Sequence, residues 1–376
     1  MKKIIAVLPG DGIGVEVMPQ AIKVLENVAR RFGHEFAFNH AYAGGAAFEK
    51  FGFHLPEETL TVCKNSDAIL FGSVGGPVDQ MNLPKWKGCE ANSILTLRKT
   101  FKFHANYRPV RVFPQLASLS PLRPEIVERG IDMLFLRELL GDCYFGEHTS
   151  FNQENGKRAA RDVSTYTEDQ VSAIAHVAFK AAQKRRKKVT SVDKANVLEA
   201  SRLWRTVVTE IATQYPDVEL EHMLVDNCAM QIVRDPAHFD VVLTTNMFGD
   251  ILSDAAAVLP GSLGMLASAS INDAGFGLYE PPGGSAQDIA GKGIANPIAQ
   301  ILSAALLLRF SFSLETEALT IEAAVERALD DGYRTRDIVR TSGVSQTTRV
   351  VGTGEMGQAI IDRIEQVSKN KAPATV

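Results

Sequence analysis

The stretch IIAVLPGDGIGVEV, residues 4–17, runs from an apolar strand through a glycine-rich turn into the start of a helix. Its reading decides the fold, because a strand–glycine loop–helix unit is where many α/β proteins hold the phosphates of a dinucleotide. That fingerprint requires G-x-G-x-x-G and an acid about 20 residues on, at the end of the second strand. Here Gly10, Gly12 and Gly14 are spaced G-x-G-x-G. The second strand, EFAFNHAY, runs out into Ala-Gly-Gly with no acid, and Glu35 stands at its start. The unit fails the dinucleotide test, and on this evidence alone its glycines read as a tight turn with positive φ angles.

Working outward, the strand-like runs DAILFGSV, IDMLFLRE, KKVTSVDK, VELEHMLVDN and FDVVLTTN alternate with amphipathic stretches such as EVMPQAIKVLENVARRF and TEDQVSAIAHVAFKAAQKR. This alternation predicts an α/β protein. NPIAQILSAALLLRFSF is apolar on nearly every face but too short to span a bilayer, so it reads as a buried helix. A chain of 376 residues usually forms two lobes. With no low-complexity linker, the lobes must be joined by elements that cross between them. The polar tail KNKAPATV, 369–376, is expected to be disordered.

A net charge of −4 gives no electrostatic reason to expect nucleic acid or membrane as a partner. The basic run Lys184–Lys188 reads as a solvated helix end, where cations suit the dipole. Cys63, Cys89, Cys143 and Cys228 are widely spaced without a C-x-x-C pair, as in a cytoplasmic protein with reduced thiols. Lys2-Lys3 precedes too few apolar residues for a signal peptide.

The candidate chemistry falls in four places. In TTNMFGDILSDAAA, Asp250 and Asp254 are i and i+4 on a helix after a strand, so both carboxylates leave one face. They repel each other unless a cation joins them, and oxygen ligands alone suit Mg²⁺ or Mn²⁺. Asp226, in LVDNCAMQ at a strand's end, is a third acid for such a site; a solvated face is the competing reading. Arg98, Arg108 and Arg137 are forks suited to carboxylates, or else surface ion-pair partners. Tyr144 and Lys194 are groups whose pKa a metal and arginines could lower into the range of proton exchange, though a buried, satisfied tyrosine is the plainer reading. Finally, LYEPPGGSAQDIAGKGIANP, 278–297, could wrap an adenosine with Asp288 on the ribose, favouring NAD over NADP, or be an ordered Gly/Pro loop.

Taken together, VLPGDGIGVEV, FGSVGGP, RELLGDCYFG, VTSVDKANVL, NMFGDILSD and LYEPPGGSAQDIAGKGIANPIAQILSAALLLRFS resemble the isocitrate/isopropylmalate dehydrogenase family of β-decarboxylating hydroxyacid dehydrogenases, its isopropylmalate branch above all. The resemblance spans nearly the whole chain. It implies a two-lobed, non-Rossmann α/β fold, with a discontinuous cofactor-binding lobe (1–104 plus 262–368) and a dimerisation and substrate lobe (105–261). It implies NAD-linked oxidative decarboxylation of 3-isopropylmalate in leucine biosynthesis, by a homodimer whose second subunit lends a lysine and an aspartate to each site. Arg98, Arg108 and Arg137 would clamp substrate carboxylates, with Asp226 also at the substrate and Ile94 and Leu95 as an apolar wall. Asp226, Asp250 and Asp254 would hold Mg²⁺ or Mn²⁺. Lys194 would take the hydroxyl proton and Tyr144 would protonate the enol carbon. Ile13 would lie at the nicotinamide, and Glu280, Gly283, Gly284, Ser285, Ala286, Asp288, Ile289 and Asn296 would hold the rest of NAD.

The chain departs from the family pattern in three places. The isopropylmalate branch usually has a glutamate seven residues before the clamp arginine; position 91 is Ala here, and Glu90 lies one earlier. Isocitrate-type members carry a serine six before it, where this chain has Asn92, with Ser93 one later. In RELLGDCYFG, Leu140, Asp142 and Cys143 replace the usual Thr-Gly-Gly-Ile, and the acid has no evident role. Gln287 stands where Pro is common. An isocitrate, homoisocitrate or tartrate dehydrogenase, a non-catalytic regulatory paralogue, and a metal-dependent hydrolase without NAD are the rival readings.

Overall fold

The computed structural model describes residues 1–339 and 348–367; the tail expected to be disordered lies outside them. In chain order the strands are β1 (Lys2–Gly10), β2 (Glu35–His40), β3 (Ala68–Ser73), β4 (Ala105–Arg111), β5 (Asp132–Glu138), β6 (His148–Asn152), β7 (Arg158–Asp162), β8 (Lys188–Asp193), β9 (Glu219–Leu224), β10 (Val241–Thr244), β11 (Ser268–Ile271), β12 (Gly277–Glu280), β13 (Tyr333–Arg334) and β14 (Arg349–Val350). The chain divides into two compact units. One comprises Met1–Phe101, Phe113–Pro121 and the described residues from Pro260 on; the other comprises Lys102–Val112 and Leu122–Leu259.

In the first unit the strands are ordered β2-β1-β3-β12-β11, parallel except for the β11–β12 pair. β3 is buried throughout, which is why AILFGS is almost wholly apolar rather than alternating. The helix Gly14–Phe32 follows β1 and buries Val17, Met18, Ala21, Val24, Leu25 and Val28, an i, i+3, i+4 stripe. The helix Ile298–Phe310 is buried on almost every side, as its uniform apolarity predicts.

The second unit repeats the scheme with β4-β5-β10-β8-β9, parallel except for β4–β5. The helices Glu168–Gln183 and Glu199–Ala212 build its core, where Ile174, Phe179, Trp204 and Val208 are fully buried. Thr167 and Gln170 form a capping box at the start of the first of these. β6 and β7 make an antiparallel ribbon that is exposed along nearly its whole length.

In the basic run Lys184, Arg186 and Lys187 are exposed as expected, and one residue departs. Arg185 is not solvated but 3% exposed, bonded to Asp132 and Asp240 at 2.8 Å. It ties the end of one helix to β5 and to the residue before β10. All four cysteines are free thiols, and Cys63, Cys89 and Cys228 are buried. Among the described residues no helix is long and apolar enough to cross a membrane.

Candidate active site

The opening loop is held by backbone that crosses it. Gly10 and Gly12 have φ of +69° and +56°, so the tight-turn reading holds. A Cβ on Gly12 would lie 2.0 Å from the carbonyl oxygen of Ser285, and one on Gly10 1.9 Å from that of Ser73. The amide of Ile13 donates to Ser285 O at 2.9 Å. Asp11, buried, accepts from the amides of Gly45, Ala46 and Gly75 at 2.8, 2.8 and 3.1 Å; burial pushes its carboxyl up despite these bonds. Glu16, one turn into the helix, accepts from the amides of Gly291 and Gly293. The N-terminal loop is thereby stitched to a segment some 270 residues away, and Gln287 adds a bond to Gly75 O at 2.8 Å.

Beside this junction lies a largely apolar cleft of about 370 Å³, within the range of small-molecule and cofactor sites. Ile13, Gly283, Gly284, Ala286, Ile289 and Asn296 line it. Ser285 is buried below with its carbonyl on Ile13. Asp288 is exposed on the loop and its carbonyl receives Lys292 Nζ at 2.7 Å. Glu280 pairs with Arg98 at 3.2 Å. Sequence reasoning missed Arg336 and Asp337, which also line the cleft. Asp337 accepts from Ser262, from Asn296 at 3.1 Å and from Thr335 at 2.6 Å.

The apparent displacement of Glu90 has a structural cause. Between Glu90 and Arg98 the helix contains a π turn over Ala91–Leu95, and Thr96 Oγ1 reaches back to Ala91 O at 3.0 Å. A π turn absorbs one extra residue into a helix, so Glu90 returns close to the angular position of a glutamate seven residues before the arginine. Ser93 is fully buried with its hydroxyl on Cys89 O at 2.5 Å. Ile94 is buried and Leu95 half-buried on the same turn. Arg98 is 9% exposed and its Nε has no hydrogen-bond partner.

The second unit holds the densest charge cluster. Arg137, at the end of β5 and 1% exposed, binds Asn246 Oδ1 through Nε and Nη2 at 3.0 and 2.7 Å and donates Nη1 to Asp250. Arg108, on β4, donates to Asn106 Oδ1 at 2.8 Å, Ser253 Oγ at 2.8 Å, Asp254 Oδ1 at 2.9 Å and Asp250 Oδ1 at 3.3 Å. Both aspartates stand on one face of the helix Asn246–Ala257, as the i, i+4 spacing predicts. Tyr144 donates to Asp250 Oδ2 at 2.8 Å beneath the Arg137 guanidinium. Burial and this bond push the Tyr144 hydroxyl up to about 12.

Lys194 follows β8 and binds Asp226 at 2.8 Å. Asp226 lies two residues past the end of β9, in the first turn of the helix Val225–Arg234, and the Lys194 ammonium holds its carboxyl below the usual range. Neither residue bonds to the arginine–aspartate cluster. Among the described residues no three acids form a metal-binding group within one chain.

Asp142 has a clear structural place. At φ +69° it occupies a left-handed position where glycine is most comfortable. Its carboxylate accepts from Cys143 N at 2.8 Å, Ser164 Oγ at 2.7 Å and Met247 N at 3.1 Å.

A two-unit α/β chain with a cofactor-sized cleft and clustered arginines and aspartates has the layout of a dehydrogenase for anionic substrates. Residues 4–360 match the isocitrate/isopropylmalate dehydrogenase family, and the chain belongs to it. It is 55% identical to a 3-isopropylmalate dehydrogenase of Desulfotalea psychrophila over 361 residues, 96% of this chain and 99% of that one. It is 52% identical to the Escherichia coli 3-isopropylmalate dehydrogenase over 95% of this chain and 96% of the other. Among solved structures, an isocitrate dehydrogenase from Methylococcus capsulatus superposes with a TM-score of 0.84 at 35% identity, covering 97% of this chain and all of that one.

Proposed function

We propose that the chain oxidatively decarboxylates 3-isopropylmalate to 4-methyl-2-oxopentanoate and CO₂ with reduction of NAD, a step of leucine biosynthesis carried out in the cytoplasm. The observation that carries this is identity above 50% over about 95% of the chain to enzymes named for that substrate. The Glu90 register adds to it, since the π turn restores the position of the isopropylmalate-type glutamate. The buried, internally bonded Ser93 speaks against an isocitrate-type serine.

The residues of the second unit fit a divalent cation and a dicarboxylate by charge. Arg108 and Arg137 neutralise Asp250 and Asp254. Exchanging these internal pairs for carboxylates on the arginines and a cation on the aspartates leaves the net charge unchanged. Desolvated charges are then never left alone, which is the costly alternative. Hard carboxylate oxygens suit Mg²⁺ or Mn²⁺, which would lower the pKa of the substrate hydroxyl and stabilise developing oxyanion charge. In this reading Arg108 and Arg137 of the second unit orient the substrate. Lys194, once its ammonium has released a proton to solvent, accepts the hydroxyl proton as the neutral amine. Tyr144, kept protonated by burial and by Asp250, is the acid that delivers a proton to carbon after CO₂ departs. NAD lies in the first unit's cleft with its nicotinamide at Ile13. Asp288 and Asp337 are then the candidate ribose acceptors.

Lys194 and Asp226 enter from a second copy of the chain. Three features support this. The pair stands apart from the cluster in one chain; Met230 and Val233 on one helix, Ile251 on the next and Val258 just past its end are more than half exposed; and an exposed two-stranded ribbon is marginal in water without a covering surface. The test is NADH formation from 3-isopropylmalate with Mg²⁺, abolished by a chelator. No chelator-sensitive NADH with any 2-hydroxy diacid would remove the proposal.

A further inference from the structure

The helix that carries Asp250 and Asp254 starts without a cap of its own. Thr245 stands at its N-cap and makes no capping bond, and its hydroxyl is buried without a partner. Buried helix-start amides need acceptors. Two are supplied from elsewhere in the second unit: Tyr166 OH accepts from Asn246 N at 2.8 Å, and Asp142 Oδ2 accepts from Met247 N at 3.1 Å. The other oxygen of Asp142 holds Cys143 N and Ser164 Oγ, while its own amide donates to Thr165 O at 3.1 Å. One carboxylate therefore fixes the loop that carries Tyr144 to the first turn of the helix that carries Asp250. Its negative charge also suits the positive end of that helix.

We propose that Asp142 is a positioning residue, replacing the missing cap of the helix Asn246–Ala257 and thereby setting Tyr144 against Asp250. It lies two residues before Tyr144 and caps a residue three before Asp250, so it acts on the 2.8 Å Tyr144–Asp250 contact from both sides. The kinetic part of this inference rests on the proposed reaction; the capping part does not.

The test compares full-length wild type with Asp142→Gly and Asp142→Asn. Glycine accepts the left-handed backbone without strain and removes the acceptor oxygens together with their charge. Asparagine tolerates the same backbone and keeps one carbonyl oxygen. We measure kcat, KM for 3-isopropylmalate, Mn²⁺ affinity from the free-ion EPR signal, and exchange of the Met247 amide. Expected for Asp142→Gly are a kcat lower by about tenfold or more, a KM within about threefold, and Mn²⁺ binding weaker by about tenfold, the usual effect of losing a group that orients metal ligands. Met247 exchange should quicken, and Asp142→Asn should recover part of kcat. A glycine variant with kcat and Mn²⁺ affinity within about twofold of wild type would overturn the inference. So would a kcat loss that only tracks the unfolded fraction, or an unchanged Met247 exchange rate. If wild type turns over no substrate, the function reading fails, and Mn²⁺ affinity with Met247 exchange still decides the role of Asp142.

Discussion

Glu138→Gln removes a titration that the fold opposes. Glu138 closes β5 with no exposed surface. It accepts the amides of Leu140 and Gly141, each at 2.7 Å. Burial outweighs these bonds and one to Tyr166, and the Asp142 charge adds to it, so the carboxyl is pushed up to about 7 from an ordinary 4.5. In this window the folded chain keeps a proton that the unfolded chain has released, so stability falls as pH rises through it. The two values correspond to a loss of about 2 kcal/mol between pH 5.5 and 8, and about 3 kcal/mol over the whole window. Glutamine cannot titrate, and its NH₂ must face one of the two amides, a constant penalty of about 1–3 kcal/mol. The variant should therefore be less stable than wild type at pH 5.5, and the gap should shift in its favour by about 2 kcal/mol at pH 8. Urea unfolding followed by Trp204 fluorescence in a Trp86→Phe background measures this. Trp204 is buried 5.3 Å from the Tyr166 ring and reports on the unit that holds Glu138. A gap that stays constant within about 0.5 kcal/mol over that range would refute the reasoning.

Other outcomes follow from the site. Asp250→Asn weakens the acceptor of nearly buried Arg137 and of Tyr144, and should cut kcat by about a hundredfold or more with loss of Mg²⁺ dependence; unchanged metal dependence would show the ligand assignment to be wrong. Gly12→Ala places a methyl against Ser285 O at a positive φ and should weaken NADH binding, read by fluorescence titration, by about tenfold or more. Ile251→Glu should give monomers by light scattering, without activity; an active monomer would exclude shared sites. Mixing and refolding Tyr144→Phe with Lys194→Ala chains should restore about a quarter of wild-type activity, because half of random dimers then hold one intact site. If both residues acted within one chain, activity would stay at background.

Much of the fold was legible because parallel buried strands are written as apolar runs, and β1, β3 and β10 are such runs. β4 was not, since arginines and Pro109 interrupt it, and β11 and β12 span only four residues each. The Asp250–Asp254 face was legible from spacing alone, because helical periodicity is local. The separation of Asp226 from it was not, because no local pattern fixes how two helices project their side chains. Glu90 looked misplaced because residue counting assumes uniform α-helix, and nothing in ANSIL announces a π turn. Asp142 looked anomalous because its partners, Ser164 and Met247, are distant in sequence. Asp337 was missed for the same reason: its place in the cleft depends on Ser262 and Asn296.

The ratio of kcat/KM for 3-isopropylmalate to that for isocitrate, with NAD and Mg²⁺, decides the substrate. The Glu90 register and the occupied Ser93 predict a ratio of about a hundred or more, the scale of discrimination between a satisfied and an unsatisfied buried polar group. A ratio near one, or below it, would contradict the account.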